Sequence, residues 1–490
     1  MSVDTVRFLL NNEVVTLENI DPNLTVLQYL REIRVDNGTK EGCGSGDCGA
    51  CTVVIAELTQ NRKSLNYKSI NACISFIVSL HGKQLITIEH LKQGDKLHHV
   101  QQTLVDNHGS QCGFCTPGFV MSSFALHKQN NTPNRAEVLE ALAGNLCRCT
   151  GYRSIITAAL ASSSQAAEDS FSQHYQQTIQ QLTDIKALPS ASLKNELHSS
   201  RQHGYFAPKS AAELADKLLK NPKATLVAGG TDLALLVTQN LASIEDLVYL
   251  ADVAELQSLE NNTEQIIIGA ALPYSEFTPL LAAEYPELGD MIERIGSKQI
   301  RNTGTLGGNI GNASPIGDMP PALIALRAEI TLQRGDSERK ISLEDFFIGY
   351  KKTLLNDAEF IKSIYIPKAK PKQTLKVYKI SKRIDDDISA VLAAFFIELK
   401  DNVVINIRIA FGGMAATPMR AKQCEAALLN KAFNCESIAA AQIALTQDFQ
   451  PMSDVRASDK YRMKVAQNLV QKCYLELQNN KLETRVVNYA

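Results

Sequence analysis

The sequence predicts a multidomain α+β protein, on three observations. Its 490 residues, at roughly 100–200 per domain, allow about three or four domains. Its composition, 44% hydrophobic and 21% charged, is that of a chain that buries cores rather than a disordered one. Strand-like alternation and helical periodicity recur in mixed order along its length. The charge balance, 50 Lys+Arg against 52 Asp+Glu for a formal -2, argues against nucleic acid as a partner. The opening MSVDTVRFLLNNEVVTL has no basic stretch followed by an apolar one, and no later apolar run approaches the ~18 residues that span a bilayer. A cytoplasmic chain without membrane contact is the expectation.

The first element is a small β-rich unit. VRFLL and EVVTL flank Asn11-Asn12, a hairpin turn, and Val26, Leu27, Leu30 and Ile33 mark one face of a short helix. Between residues 95 and 160 the pattern turns helical. Val120 and Phe124 share a face after Pro117-Gly118, and Val138, Leu139, Leu142 and Leu146 share another, entered through Thr132-Pro133-Asn134. From 163 to 198 Ser, Gln and Ala dominate without a sustained apolar stripe, which reads as a surface linker. Beyond it TLVAG, QIIIGA and AEITLQ read as strands and SAAELADKLLK as a helix, an α+β or α/β arrangement running to about residue 370. LKVYKISKR, AVLAAFFIEL and VVINIRIAFGGM then read as consecutive antiparallel strands, covered by Ala-rich helices after Met419. No internal repeat of fixed period occurs.

Cysteine carries the chemistry. Of 11 cysteines, eight fall in the first 149 residues, and in a chain without a secretory signal metal ligation explains such clustering better than disulfides. Cys43, Cys48 and Cys51 lie in EGCGSGDCGACTV, with Cys73 following after 21 residues; this is the plant-type [2Fe-2S] ferredoxin spacing. Three thiolates must reach two irons from one tight loop, and Gly42, Gly44, Gly46, Gly49 and Ala50 let backbone N–H groups approach the sulfurs. A four-cysteine zinc site is the bland alternative, but zinc sites usually pair two short knuckles. Gly44, Gly46 and Gly49 also satisfy G-x-G-x-x-G formally, yet no strand-to-helix unit surrounds them and a cluster cysteine interrupts them, so a dinucleotide site is rejected.

The second constellation is Cys112-x2-Cys115 in QCGFCTPG and Cys147-x-Cys149 in NLCRCTGY. Alone it suits zinc as well as iron–sulfur; each pair falls at a helix end, where free N–H groups favour a negative group. Beside a ferredoxin motif, the iron–sulfur reading leads. Cys424, Cys435 and Cys473 have no neighbour at ligand spacing and read as ordinary thiols, and the nine histidines, His98-His99 included, read as structural or solvated.

Two glycine segments suggest a phosphate-bearing cofactor. After the strand ATLVA come Gly229, Gly230, Thr231 and Asp232, leading into LALLV; a second cluster runs from Gly304 through Gly307, Gly308 and Asn309 to Asn312, with Asp318 after it. Such turns offer backbone N–H groups to a pyrophosphate, though glycine turns alone are common. Joined to one-electron centres, they point to flavin, which accepts electrons singly and exchanges a hydride.

The segments EGCGSGDCGACTV, QCGFCTPGFVMS, NLCRCTGYR, LVAGGTDL, RNTGTLGGNIGNASPIGD, FFIGYKKTLL and YKISKRIDDDIS, in this order, resemble the iron–sulfur and flavin portion of the molybdenum hydroxylases, most closely the small subunits of bacterial xanthine dehydrogenases. The resemblance is nearly end to end. It implies a plant-type ferredoxin β-grasp domain over 1–92, a helical-bundle [2Fe-2S] domain over 93–162, the linker 163–198, an α+β FAD-binding domain of vanillyl-alcohol-oxidase type over 199–372 and a C-terminal α/β domain over 373–490. It implies electron flow from a molybdenum cofactor on a large partner subunit to the Cys112/Cys115/Cys147/Cys149 cluster, then the Cys43/Cys48/Cys51/Cys73 cluster, FAD and NAD. The resemblance implies that the reaction served is oxidation of hypoxanthine or xanthine to urate, with the purine chemistry on the partner subunit and no catalytic residue for it in this chain.

By the same resemblance, FAD contacts fall on Leu226, Val227, Ala228, Gly229, Gly230, Thr231, Asp232 and Leu233, on Thr305, Leu306, Gly307, Gly308 and Asn309, and on Asp318, Ile361 and Lys379. Lys379 is placed to donate to the electron-rich pyrimidine edge of the flavin. Two positions depart from the mammalian relatives: Ile295 stands where they stack a phenylalanine on the flavin, and Arg383-Ile384-Asp385-Asp386-Asp387 where they have Arg-Arg-Glu-Asp-Asp. Both bear on the choice of NAD over oxygen. No molybdopterin-binding sequence follows Ala490, so a separate molybdenum subunit is implied, in a dimer of heterodimers. The rival readings are the equivalent subunit of a hydroxylase acting on an aldehyde or N-heterocycle, and a redox-inactive, metal-stapled adaptor.

Overall fold

The hairpin at the start of the chain forms because Asn11 accepts a left-handed conformation, φ 57°, between two strands that alternate toward a core. Val6–Leu10 pairs antiparallel with Glu13–Leu17, and the five-stranded sheet continues through Gln84–Ile86, Thr52–Leu58 and Leu65–Asn71. The computed structural model describes residues 4–130, 132–162, 169–195, 203–479 and 484. It comprises two units, residues 1–254 with 296–304 and residues 255–295 with 305–490.

In the first unit, Thr25 and Gln28 cap one another to open the helix Val26–Gln28. The chain then widens into a π-turn over Tyr29–Ile33. The wider turn breaks the expected period, so Ile33 is 55% exposed rather than on the buried face.

Helices His99–Asp106, Thr116–Gln129, Arg135–Leu142 and Arg153–Ser162 follow. They share a core of Phe119, Val120, Phe124, Val138, Leu142 and Ile155 with Val54 and Ile86 of the sheet. Leu139 and Leu146, expected on this face, are exposed: Leu139 lies a third of a turn from Val138, and the helix ends at Leu142 before its period reaches Leu146.

The segment 163–198 is not a linker where it is described. Tyr175–Ala187 is a helix that buries Thr178, Leu182 and Ile185 and packs on strands Val6–Leu10 and Thr52–Leu58; Ala191–Asn195 pairs with His203–Ala207. Residues 163–168 and 196–198 lie outside the described residues. Gln-rich spacing hid the stripe, since only three apolar or small positions per face are needed when the partner is a sheet. Asp246–Tyr249 and Thr225–Val227 extend this second sheet in parallel, and its Tyr205, Val227 and Leu247 share one core with Val6, Phe8 and Leu27. Ser210 caps the amphipathic helix Ala211–Lys220 beside it.

Three of the histidines of the helical region, His98, His99 and His127, are structural. His98 Nε2 lies 3.2 Å from Asp169, His99 and His127 meet at 3.4 Å, and Lys128 completes the ion pair with Asp169. Burial, reinforced by His98, pulls His99 and His127 down to about 4. A base depressed in the folded state is protonated first in the unfolded chain, so stability falls as pH drops from about 6.5 to 4. His127→Gln is expected to flatten that limb in denaturant titrations followed by far-UV circular dichroism; an unchanged slope would show that the pair does not contribute.

In the second unit a five-stranded antiparallel sheet runs Leu259–Asn261, Gln265–Gly269, Phe360–Pro367, Glu329–Arg334, Ser337–Ser342. The expected strands Gln373–Ile380, Val391–Lys400 and Val403–Gly412 form a second antiparallel sheet, with Met419–Arg420 at its edge. Helices Lys422–Leu428, Cys435–Asp448 and Asp459–Gln478 cover it. All pairings in it are antiparallel, so this region is α+β where the resemblance implied α/β. Arg462, 2% exposed, ties the last helix to the carbonyls of Ala390 and Gly413 and to Asp454. Among the described residues, no helix is long and apolar enough to cross a membrane.

Candidate functional site

Sheet register assembles the first cysteine set. Thr52 and Asn71 face each other at one end of adjacent strands, so Cys51 and Cys73, just beyond them, come together with Sγ atoms 3.2 Å apart. The loop before Thr52 folds Cys43 back on them, where its sulfur meets the Cys48 and Cys73 thiols. Cys43 Sγ accepts backbone N–H groups of Ser45 at 3.4 Å and Asp47 at 3.3 Å. The Cys48 and Cys73 hydrogen bonds, with those from Ser45, hold Cys43 far below the usual thiol range. Gly49 has φ +68°, and a Cβ there would strike the Gly144 carbonyl.

The second set sits around a helix entry. Cys115 is the N-cap of Thr116–Gln129 and Cys112 precedes it in an exposed turn. Cys115 pairs with Cys147, and Cys112 with Cys149. Cys147 Sγ accepts the Thr150 hydroxyl at 3.2 Å and the Cys149 N–H at 3.4 Å. The loops of the two sets touch through backbone: Leu146 N–H donates to Cys48 O at 3.0 Å.

Among the described residues, no group of three or more His, Cys, Asp or Glu side chains is arranged to hold a metal ion. In the first set the thiols meet in the succession Cys48, Cys43, Cys73, Cys51, and in the second they approach in two pairs. Four thiols gathered in this way, with N–H groups directed at sulfur, fit a sulfide-bridged two-iron group, in which each iron takes two thiolates. Cys424 and Cys473 are buried in the apolar core of the second unit, which pushes their thiols up.

The glycine segments are built by close backbone approach. Residues 226–233 belong to the first unit, where the strand Thr225–Val227 ends and Gly230, φ +72°, turns the chain into Ala234–Thr238. A Cβ on Gly229 would strike the Thr303 carbonyl. Thr305 through Asn309, Asp318, Ile361 and Lys379 belong to the second unit. There Thr305 Oγ1 caps Gly308 N–H at 3.0 Å, and Gly307 N–H donates to Ala270 O at 3.0 Å. Lys379 Nζ lies 2.6 Å from Asp318 Oδ2, with both side chains buried, and Ser389 Oγ donates to Asp318 Oδ1 at 2.5 Å. A Cβ on Gly311 would lie 3.6 Å from the Ile361 side chain, and one on Gly317 at 3.6 Å from Asn309 Oδ1.

Asn309 Oδ1 and the Tyr274 hydroxyl are buried without a hydrogen-bond partner among the described residues. Burial and the Asp318 charge push the Tyr274 phenol up, keeping it a donor. An orphaned acceptor, an orphaned donor and crowded glycine backbone fit a polar, phosphate-bearing cofactor such as FAD. Of the departures, Ile295 is half-buried and Ile384 is 54% exposed. Arg294 binds the carbonyls of Ile384 at 2.9 Å and Lys379 at 3.0 Å. Sequence reasoning missed Tyr274 and Arg294, which stand in no motif, and gave no role to Ser389, the last residue of YKISKRIDDDIS; only their partners in space mark them.

Four family models match in order: a 2Fe-2S iron-sulfur cluster binding domain over residues 8–78, a [2Fe-2S] binding domain over 87–160, the FAD binding domain in molybdopterin dehydrogenase over 199–369 and the CO dehydrogenase flavoprotein C-terminal domain over 376–477. Among curated relatives, xanthine dehydrogenase of Emericella nidulans is 34% identical over 91% of this chain and 36% of its own length. Xanthine dehydrogenase/oxidase of Rattus norvegicus is 31% identical over 93% and 37%. The chain therefore spans little more than a third of these relatives. Among solved structures, a carbon monoxide dehydrogenase chain from Hydrogenophaga pseudoflava aligns with TM-score 0.53 and 29% identity over 56% of this chain and 96% of that one. A quinoline 2-oxidoreductase chain from Pseudomonas putida 86 aligns with 0.52 and 26% over 56% and 95%. With its two [2Fe-2S] domains and FAD-binding domain, the chain belongs to the molybdenum hydroxylase family.

Proposed function

We propose that this chain is the electron-transferring part of an NAD-linked xanthine dehydrogenase. The observation that carries the reading is the pairing of all eight motif cysteines into two sets whose loops share the Cys48–Leu146 hydrogen bond. Cys112, Cys115, Cys147 and Cys149 would hold the cluster that receives electrons from a molybdenum subunit. Cys43, Cys48, Cys51 and Cys73 would hold the one that passes them to FAD. Such clusters supply one-electron relay and FAD the step to two-electron hydride chemistry with NAD.

The chain's own residues then have defined tasks. N–H groups of Ser45, Asp47 and Cys149 soften the charge on cluster sulfur. Lys379, oriented by Asp318, places a cation for the flavin's pyrimidine edge. Exposed Cys112 and Cys149, flanked by exposed Phe114 and Leu146, suit a molybdenum-bearing partner subunit, in a dimer of such heterodimers. Hypoxanthine or xanthine as the partner's substrate rests on the names of relatives that span nearly the whole chain. The matching carbon monoxide and quinoline enzymes support a second reading, another substrate on the same relay.

Anaerobic NADH added to the purified chain should bleach flavin and cluster absorption together. Flavin and clusters that stay oxidised would remove NAD from the reading. Reconstitution with the molybdenum subunit, supplied with hypoxanthine or quinoline, separates the two substrates.

A further inference from the structure

Beside the contact between the two cysteine loops lies a buried polar network centred on Gln299, a residue that stands in no motif. Gln299 is 1% exposed, and its Nε2 donates to Asn145 Oδ1 at 3.1 Å, Thr52 Oγ1 at 3.2 Å and Ser122 Oγ at 3.3 Å. Each acceptor belongs to a different part of the relay. Thr52 follows Cys51, Asn145 precedes Cys147 by two residues, and Ser122 stands on the helix that Cys115 caps. Asn145 Nδ2 in turn donates to Gly49 O at 3.0 Å, and Ser122 donates to Asn145 Oδ1 at 2.6 Å. A Cβ on Gly144 would strike Gln299 Oε1, so the loop before Leu146 is shaped around this one side chain.

We propose that Gln299 is a positioning residue that sets the register between the two cysteine loops, and through it the Cys48 O to Leu146 N–H contact by which the two clusters communicate. The assignment rests on the cluster reading above. Three acceptors converging on one buried amide restrict the geometry further than any one of them does alone. Without the amide, Asn145 Nδ2 still bridges the loops through Gly49 O at 3.0 Å and Thr52 Oγ1 at 3.2 Å, so both loops survive and stay linked but lose the one donor that ties Asn145, Thr52 and Ser122 to a single point. With clusters held by the two cysteine sets, the register would govern a one-electron exchange, in which one cluster would be oxidised as the other is reduced and no bond or proton would move.

Gln299→Met in the full cluster-loaded chain keeps the side-chain volume and removes the donors. Iron, sulfide and the separate spectra of the two clusters should match the parent. Hydrogen exchange in peptides containing Leu146 should run about 5- to 30-fold faster, as the loss of one or two kcal/mol of local stability implies. The dithionite-reduced chain should show altered spin–spin splitting between the clusters in electron paramagnetic resonance. Parental exchange and splitting in a fully loaded variant would overturn the proposal. Should Gln299→Met fail to load, Ser122→Ala, which removes one acceptor, decides on the same two readouts. A parent chain without iron would instead overturn the cluster reading itself.

Discussion

Cys51→Ser is expected to halve the iron of the purified chain, from about four to about two per chain, with sulfide falling in step. Cys51 is 1% exposed and touches Cys73 across the sheet end, so its sulfur cannot be replaced by a neighbour. A hydroxyl there keeps the backbone and removes the thiolate that iron requires. The other set has its own four ligands, so its spectrum should persist, and Cys149→Ser should give the complementary loss. Elemental analysis with low-temperature electron paramagnetic resonance of the reduced variants checks both. Loss of all iron in either variant would mean that the sets do not load independently, and retention of all iron that Cys51 is no ligand.

Asp318→Ala is expected to cost about 3–5 kcal/mol of stability and to release flavin, because it strands a buried ammonium. Lys379 is 6% exposed and its Nζ lies 2.6 Å from Asp318, whose second oxygen holds Ser389. The double replacement Asp318→Leu with Lys379→Met removes both charges and should recover most of the unfolding midpoint without recovering FAD. Urea unfolding and the flavin-to-protein absorbance ratio measure the two effects separately. An Asp318→Ala chain with the parental midpoint would show that the pair is not held as the structure places it.

Legibility followed the range of the interaction. The hairpin at Asn11, the Val120/Phe124 helix face and the three C-terminal strands were readable because turn chemistry and period are local. Ile33 and Leu146 were misplaced because each depends on where a helix changes pitch or stops, and Leu139 because it lies on the face beside Val138 rather than on the same one. The helix Tyr175–Ala187 was missed because its polar sequence hides a narrow stripe that only a sheet partner makes useful. Cysteine spacing announced the two sets, since ligand geometry constrains sequence directly. Gln299, Tyr274 and Ser389 could not be found that way: each acts through residues 71 to 247 positions distant, or through an unpaired atom that no pattern records.

The most direct test of the two-cluster flavin relay is the visible spectrum of the purified chain, with iron, acid-labile sulfide, zinc and flavin determined on the same sample. About four iron, four sulfide and one FAD per chain are expected. Zinc without flavin, in protein made where clusters can assemble, would contradict the account and leave a metal-stapled scaffold.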